Sequence, residues 1–99
     1  MAADLILTPE AERDVEEAYS WYERQRVGLG EAFLGSVDAT LEAICRTPRM
    51  HAHFYLNYRR ALLRRFPYAI FYEETESAVS VHGIFHTARD PRKWRDRLP

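Results

Sequence analysis

Ninety-nine residues suit one domain spanning 1–99 and leave little room for a second. The chain is 46% hydrophobic and 29% charged, which excludes a disordered polypeptide and fits a globular one. The net charge of −1 hides an asymmetry that excludes a uniformly basic molecule: residues 1–50 carry 5 Lys/Arg against 10 Asp/Glu, a net of −5, and residues 51–99 carry 9 against 5, a net of +4.

The start, Met1 to Thr8, lacks a basic region followed by a long apolar stretch, so no signal peptide is expected. No apolar run approaches the roughly 18 residues of a membrane span, and no membrane partner is expected. Cys45 is the single cysteine, so an internal disulfide is excluded and a reducing cytoplasm suits the chain. Cys45 lies on a helical apolar pattern and reads as a small buried hydrophobe.

Asp4 to Leu7 predicts a first strand. Thr8-Pro9-Glu10 predicts a helix start, with Thr8 as N-cap, Pro9 in the first turn, and Glu10 and Glu12 at the positive end of the dipole. Ala11, Val15, Ala18 and Tyr22 then share one face, and the helix should run to about Gln25. Gly28 and Gly30 mark a turn. A second amphipathic helix carries Phe33, Val37, Leu41 and Ile44 and ends at Thr47-Pro48. So short a link predicts an antiparallel hairpin.

From His51 onward the pattern is that of strands. Phe54 to Leu56 is one candidate. Arg59 to Arg65 is another, with Arg60, Leu62 and Arg64 on one side. Tyr68 to Glu73 is rich in aromatic and branched residues. In Val79 to His86, Val79, Val81 and Phe85 point one way, and Ser80, His82, Ile84 and His86 the other. A basic tail, Ala88 to Pro99, allows a last helical turn after Asp90-Pro91. The expectation is a two-layer α+β fold: an N-terminal strand, a helical hairpin, then a curved antiparallel sheet of three or four strands and a short tail. The far side of that sheet and its basic end should stay free for another macromolecule.

The run Tyr58-Arg59-Arg60-Ala61-Leu62-Leu63-Arg64-Arg65-Phe66-Pro67-Tyr68-Ala69-Ile70-Phe71-Tyr72, with Val81-His82-Gly83-Ile84-Phe85-His86-Thr87-Ala88-Arg89-Asp90-Pro91-Arg92-Lys93-Trp94, resembles toxins of the RelE/ParE superfamily. It is closest to the ParE-like branch, often labelled plasmid stabilisation proteins. The resemblance covers nearly the whole chain, because the hairpin after Thr8-Pro9 also matches in kind and position. It implies the toxin of a type II toxin–antitoxin module, encoded beside an antitoxin that wraps it and often binds operator DNA itself, so that operator DNA is reached only through the antitoxin. RelE-like members cut messenger RNA on the ribosome; ParE-like members inhibit DNA gyrase. Neither uses a metal or a small cofactor.

Metal-free RNA cleavage needs an acid, a base and positive charge on the phosphorane-like transition state. For a nuclease the resemblance offers Arg60 and the tail arginine Arg89, and His86 could serve as acid or base near neutral pH. It also shows departures: Ala69 stands where RelE-like nucleases place an arginine, Leu62 where they place a lysine, and Trp94 has no acid–base hydroxyl. The ParE-like reading, growth arrest by a non-catalytic gyrase inhibitor, is therefore favoured over a ribosome-dependent endonuclease. A toxin-derived domain without surviving toxicity stands third.

Candidates for touching a target or antitoxin are Arg60, Arg64, Arg89, Arg92, Lys93, Trp94 and Trp21. Strand alternation limits any shared arginine site to Arg60 with Arg64, or Arg59 with Arg65, and the same arginines could instead be edge charges that block aggregation. His82 and His86, on one predicted face, are either an acid–base site or exposed polar residues. Trp94 should pack while the tail arginines are presented. Trp21 lies off the clean helical stripe and suits a partner. His51 and His53 lack the further ligands that a metal would need, so no metal site is expected.

Overall fold

Local chemistry starts the first helix. In the computed structural model, which describes residues 4–88 and 90–98, strand β1 (Asp4–Leu7) leads into helix α1 (Pro9–Gln25). Thr8 Oγ1 accepts the Ala11 N–H at 3.1 Å, and Pro9 occupies the first turn, where no N–H is needed. Ala11 and Ala18 are buried, with Val15 and Tyr22 packed against the same core.

Helix α2 (Leu29–Arg46) follows after three residues. Gly28 takes a left-handed φ of +91° at the turn. It has no side chain to cap α2, and Glu23 of α1 supplies one instead. The Glu23 carboxylate accepts the Gly28 N–H at 3.0 Å and the Gly30 N–H at 2.9 Å. The hairpin closes so tightly that a Cβ on Gly30 would lie 2.8 Å from Glu23 Oε1 and 2.9 Å from the Tyr19 ring. At the far end the helix stops before Thr47-Pro48, as expected.

Strands β2 (His53–Tyr55), β3 (Tyr58–Leu62), β4 (Tyr68–Glu74) and β5 (Ala78–His86) pair antiparallel in succession. β1 joins the outer side of β5 in parallel, Leu5 opposite Val79 and Leu7 opposite Val81, which gives the order β1-β5-β4-β3-β2. The hairpin lies across one face. Phe33, Val37, Leu41 and Ile44 of α2 meet Ile70, Tyr72, Val79, Val81 and Ile84 of the sheet. Each large side chain buried there contributes about 1.5–3 kcal/mol.

Three details differ from the alternation read in the sequence. First, Phe71 pairs with Gly83 but Tyr72 with Val81, so His82 is an extra residue in β5. This bulge reverses the alternation. Ile84 joins Val79 and Val81 under the helices, Phe85 crosses to the other face, and His82 and His86 part company. Gly83 makes room: a Cβ there would collide with the Phe85 ring. Second, β3 ends at Leu62 rather than 65, because Arg65 takes a φ of +72° and turns the chain towards Phe66. Third, the far face is not free. Helix α3 (Pro91–Arg97) folds over it, and Trp94 and Leu98 are buried with Tyr58, Ala69, Phe71 and Phe85 in a second core.

Candidate functional site

Arg60 projects from the far face of β3. Its guanidinium lies 4.0 Å from the centroid of the Phe54 ring, a cation–π contact. His86 projects from the end of β5, edge-on to Tyr68 at 5.2 Å. Its Nδ1 accepts the Ala88 N–H at 3.0 Å, which leaves Nε2 as the nitrogen free to act. Arg60 and His86 line one cavity of about 120 Å³ with Ala69, Phe71, Phe85, Thr87 and Trp94. Arg60 is the one cation lining it among the described residues. Arg89, the third nuclease candidate, lies outside the described residues.

His82 belongs elsewhere. Its ring sits 5.2 Å from Tyr58, and its Nε2 is 3.5 Å from Glu73 Oε1. The bulge therefore rules out the shared histidine face that simple alternation predicts.

The four arginines of the Tyr58–Phe66 run divide by role. Arg59 is spent on the fold. Its guanidinium reaches Glu74 at 3.3 Å and donates to the carbonyls of His51 at 2.5 Å and Arg49 at 3.3 Å. Burial alone would raise the Glu74 carboxyl, but hydrogen bonds and charge from Arg49 and Arg59 outweigh it and hold the group below its ordinary value. Arg65 lies beyond the end of β3, so it shares no strand face with Arg59. Arg64 and Arg65 sit exposed in the turn after β3, where the Arg64 carbonyl accepts the Ser36 hydroxyl at 2.8 Å. Arg60, Arg64 and Arg65 have no carboxylate within ion-pairing distance among the described residues. Arg60 faces the far side of the sheet, and Arg64 and Arg65 lie beside α2.

In the tail, Asp90 caps α3 by accepting the Arg92 N–H, and it pairs with the Arg92 side chain at 2.9 Å. Lys93 is exposed. Trp94 is only 8% exposed and stacks on Phe71 at 5.6 Å. Trp21, in contrast, is 50% exposed. It borders a cleft of about 450 Å³ with Glu17, Tyr22, Pro67, Tyr68 and His86. Cys45 is half-buried, and burial pushes its thiol up, away from nucleophilic use. Among the described residues no three His, Cys, Asp or Glu side chains converge on a metal-sized site.

Two features that carry the site's shape went unread in the sequence. Asp14 accepts the Ile84 N–H at 3.1 Å and forms a two-pronged pair with Arg97 at 3.0 and 3.1 Å, clamping α3 to α1 across β5. Tyr72 donates to the Pro48 carbonyl at 2.6 Å. Both link residues far apart in sequence, and no local pattern signals them.

The residues 5–91 match the family described as the ParE toxin of the type II toxin–antitoxin system parDE. This chain belongs to the ParE toxin family. Toxin ParE2 of Mycobacterium tuberculosis, in strains CDC 1551 and H37Rv, is 28% identical over 81 residues, covering 81% of this chain and 77% of the relative. The fold of this ParE chain is also that of a solved chain described as "Chromosomal ParDE TA system from P. aeruginosa". The TM-score is 0.72 at 15% identity, over 86% of this chain and 96% of that one. A ParE toxin implies a cognate antitoxin as partner. No helix among the described residues of this ParE chain is long and apolar enough to cross a membrane.

Proposed function

We propose that this ParE-family toxin acts by binding rather than by chemistry. It inhibits DNA gyrase in the cytoplasm and is silenced by direct contact with the antitoxin encoded beside it. Operator DNA enters only through that antitoxin, and no metal or small cofactor takes part.

The family match over residues 5–91 carries the reading. The chemistry around Arg60 supports it. Phosphodiester cleavage needs several preorganised donors around the developing charge. The cavity beside Arg60 and His86 has an apolar floor of Ala69, Phe71 and Phe85. Ala69 and Leu62, at two positions where RelE-like nucleases carry cations, supply none. Losing one such donor costs on the order of 100-fold in rate.

A messenger-RNA endonuclease is the second reading, favoured by the single fact that Arg60 and His86 share a cavity. Purified protein added to a gyrase supercoiling reaction separates the two. Inhibition of supercoiling, with intact transcripts in arrested cells, is the expected result. Cut transcripts with normal supercoiling would reverse the assignment. Normal growth on induction without the antitoxin would remove both.

A further inference from the structure

The outer edge of β3 is open beyond β2. The Arg60 N–H reaches outward to the Ala52 carbonyl at 3.3 Å, and the Leu63 N–H turns inward to the Tyr68 carbonyl at 2.9 Å. Strand alternation then directs the Leu62 N–H and C=O outward. Among the described residues no strand lies there, because β2 reaches only to His53, opposite Arg59. Leu62 is 58% exposed.

Beside this edge a groove of about 660 Å³ runs along α2, floored by Gly35, Ala39 and Ala43 and rimmed by Arg46, Arg64 and Arg65. No carboxylate lines it among the described residues. Among the described residues Arg64 and Arg65 are unneutralised, and Arg46 meets only the exposed Glu42, at 3.6 Å. Gly35 is informative. A Cβ there would meet nothing within 4 Å, so the packing of the fold does not demand glycine, as it does at Gly30. A glycine inside an exposed helix weakens it. Its absent side chain deepens the groove.

We propose that this groove docks an extended, acidic segment of the antitoxin, added as a strand to β3 at Leu62. This rests on the toxin–antitoxin reading above. An extended backbone answers the outward N–H and C=O of Leu62. Its apolar side chains lie over Gly35 and Ala39, and its carboxylates face Arg64 and Arg65. A nucleic-acid backbone would meet the arginines, but it cannot pair with a strand edge and leaves the apolar floor uncovered.

The test uses the full chain and the product of the reading frame beside its own. The partner should slow hydrogen exchange of the Leu62 amide at least tenfold. Gly35→Gln should weaken the complex at least tenfold while leaving the free chain as stable or more so, which a thermal melt checks. The double variant Arg64→Glu, Arg65→Glu should weaken it at least as much and flatten its salt dependence. A complex formed normally by both variants, with Leu62 exchange unchanged, overturns the groove and leaves the toxin–antitoxin reading intact. Absence of any complex with the unaltered chain overturns both. Protection of Leu62 by an RNA or DNA oligonucleotide, and not by the partner, overturns the groove and reassigns the surface.

Discussion

Asp14 and Arg97, 83 residues apart, hold each other through two bonds of 3.1 and 3.0 Å over the edge of β5. β1 ends opposite Val81, so the next outward N–H of β5, that of Ile84, would have no strand to meet. The second oxygen of Asp14 takes it at 3.1 Å, and Arg97 takes the His82 carbonyl at 3.2 Å. A side-chain pair thus closes an edge that a strand leaves open, and it fixes α3 over the far face.

Asp14→Ala should therefore cost about 2 kcal/mol, since it strands both a partly buried guanidinium and a backbone N–H. Asp14→Asn keeps an acceptor for Ile84 and should cost less. Urea unfolding measures both, and a double-mutant cycle with Arg97→Ala should show coupling between the two sites.

The two glycines of α2 should respond in opposite directions. Gly30→Ala drives a Cβ into Glu23 and Tyr19 and should cost about 1–3 kcal/mol. Gly35→Ala meets open space and should gain about 0.5–1 kcal/mol. Thermal melts of the two variants give the comparison.

Titration should locate Tyr72. Burial pushes its phenol from 10.0 up to about 12, with Arg59 opposing and Glu74 reinforcing the shift. Its folded value lies above its unfolded one, so its contribution to stability is whole below pH 10 and is lost as the pH rises towards 12. Tyr72→Phe should remove part of the alkaline loss. It should also cost about 1 kcal/mol at neutral pH through the bond to Pro48. Glu74 behaves oppositely: its carboxyl is held low, so its contribution is whole above its unfolded value of 4.5 and fades as the pH falls through the folded one. Glu74→Gln should make the acid limb of the stability curve shallower.

The two tryptophans should report separately. With Trp21→Phe, the remaining Trp94 should emit at shorter wavelength and resist acrylamide quenching. With Trp94→Phe, the remaining Trp21 should be readily quenched. Trp94→Ala, which empties the far-face core, should cost about 3–5 kcal/mol. Addition of the antitoxin to the Trp94→Phe variant would show directly whether Trp21 is covered.

The helical hairpin was legible in the sequence because its signals are local. Thr8-Pro9 and Thr47-Pro48 mark helix ends through the backbone they permit, and the stripes from Ala11 to Tyr22 and from Phe33 to Ile44 follow a 3.6-residue period that needs no partner to be seen. The strands were legible as strands, and the residues from Tyr58 to Trp94 carried the ParE resemblance. Among the residues singled out there, Arg60 and His86 line one cavity of the fold and Trp21 borders another.

Facing and pairing were decided by the tertiary structure. A period of two assigns sides only while register is unbroken. The extra residue at His82, set by how β5 lies on β4, exchanged the sides of Ile84 and Phe85 and separated the two histidines. The positive φ of Arg65 removed Arg64 and Arg65 from the strand and left them beside α2, where they rim a groove. Asp14 with Arg97, and Arg59 with Glu74, show the same cause. Which segments coil, which extend and which family they compose could be read along the chain, since those depend on near neighbours in it. Which charge is consumed by the fold and which remains for a partner depends on neighbours across space, and only the folded chain brings those together.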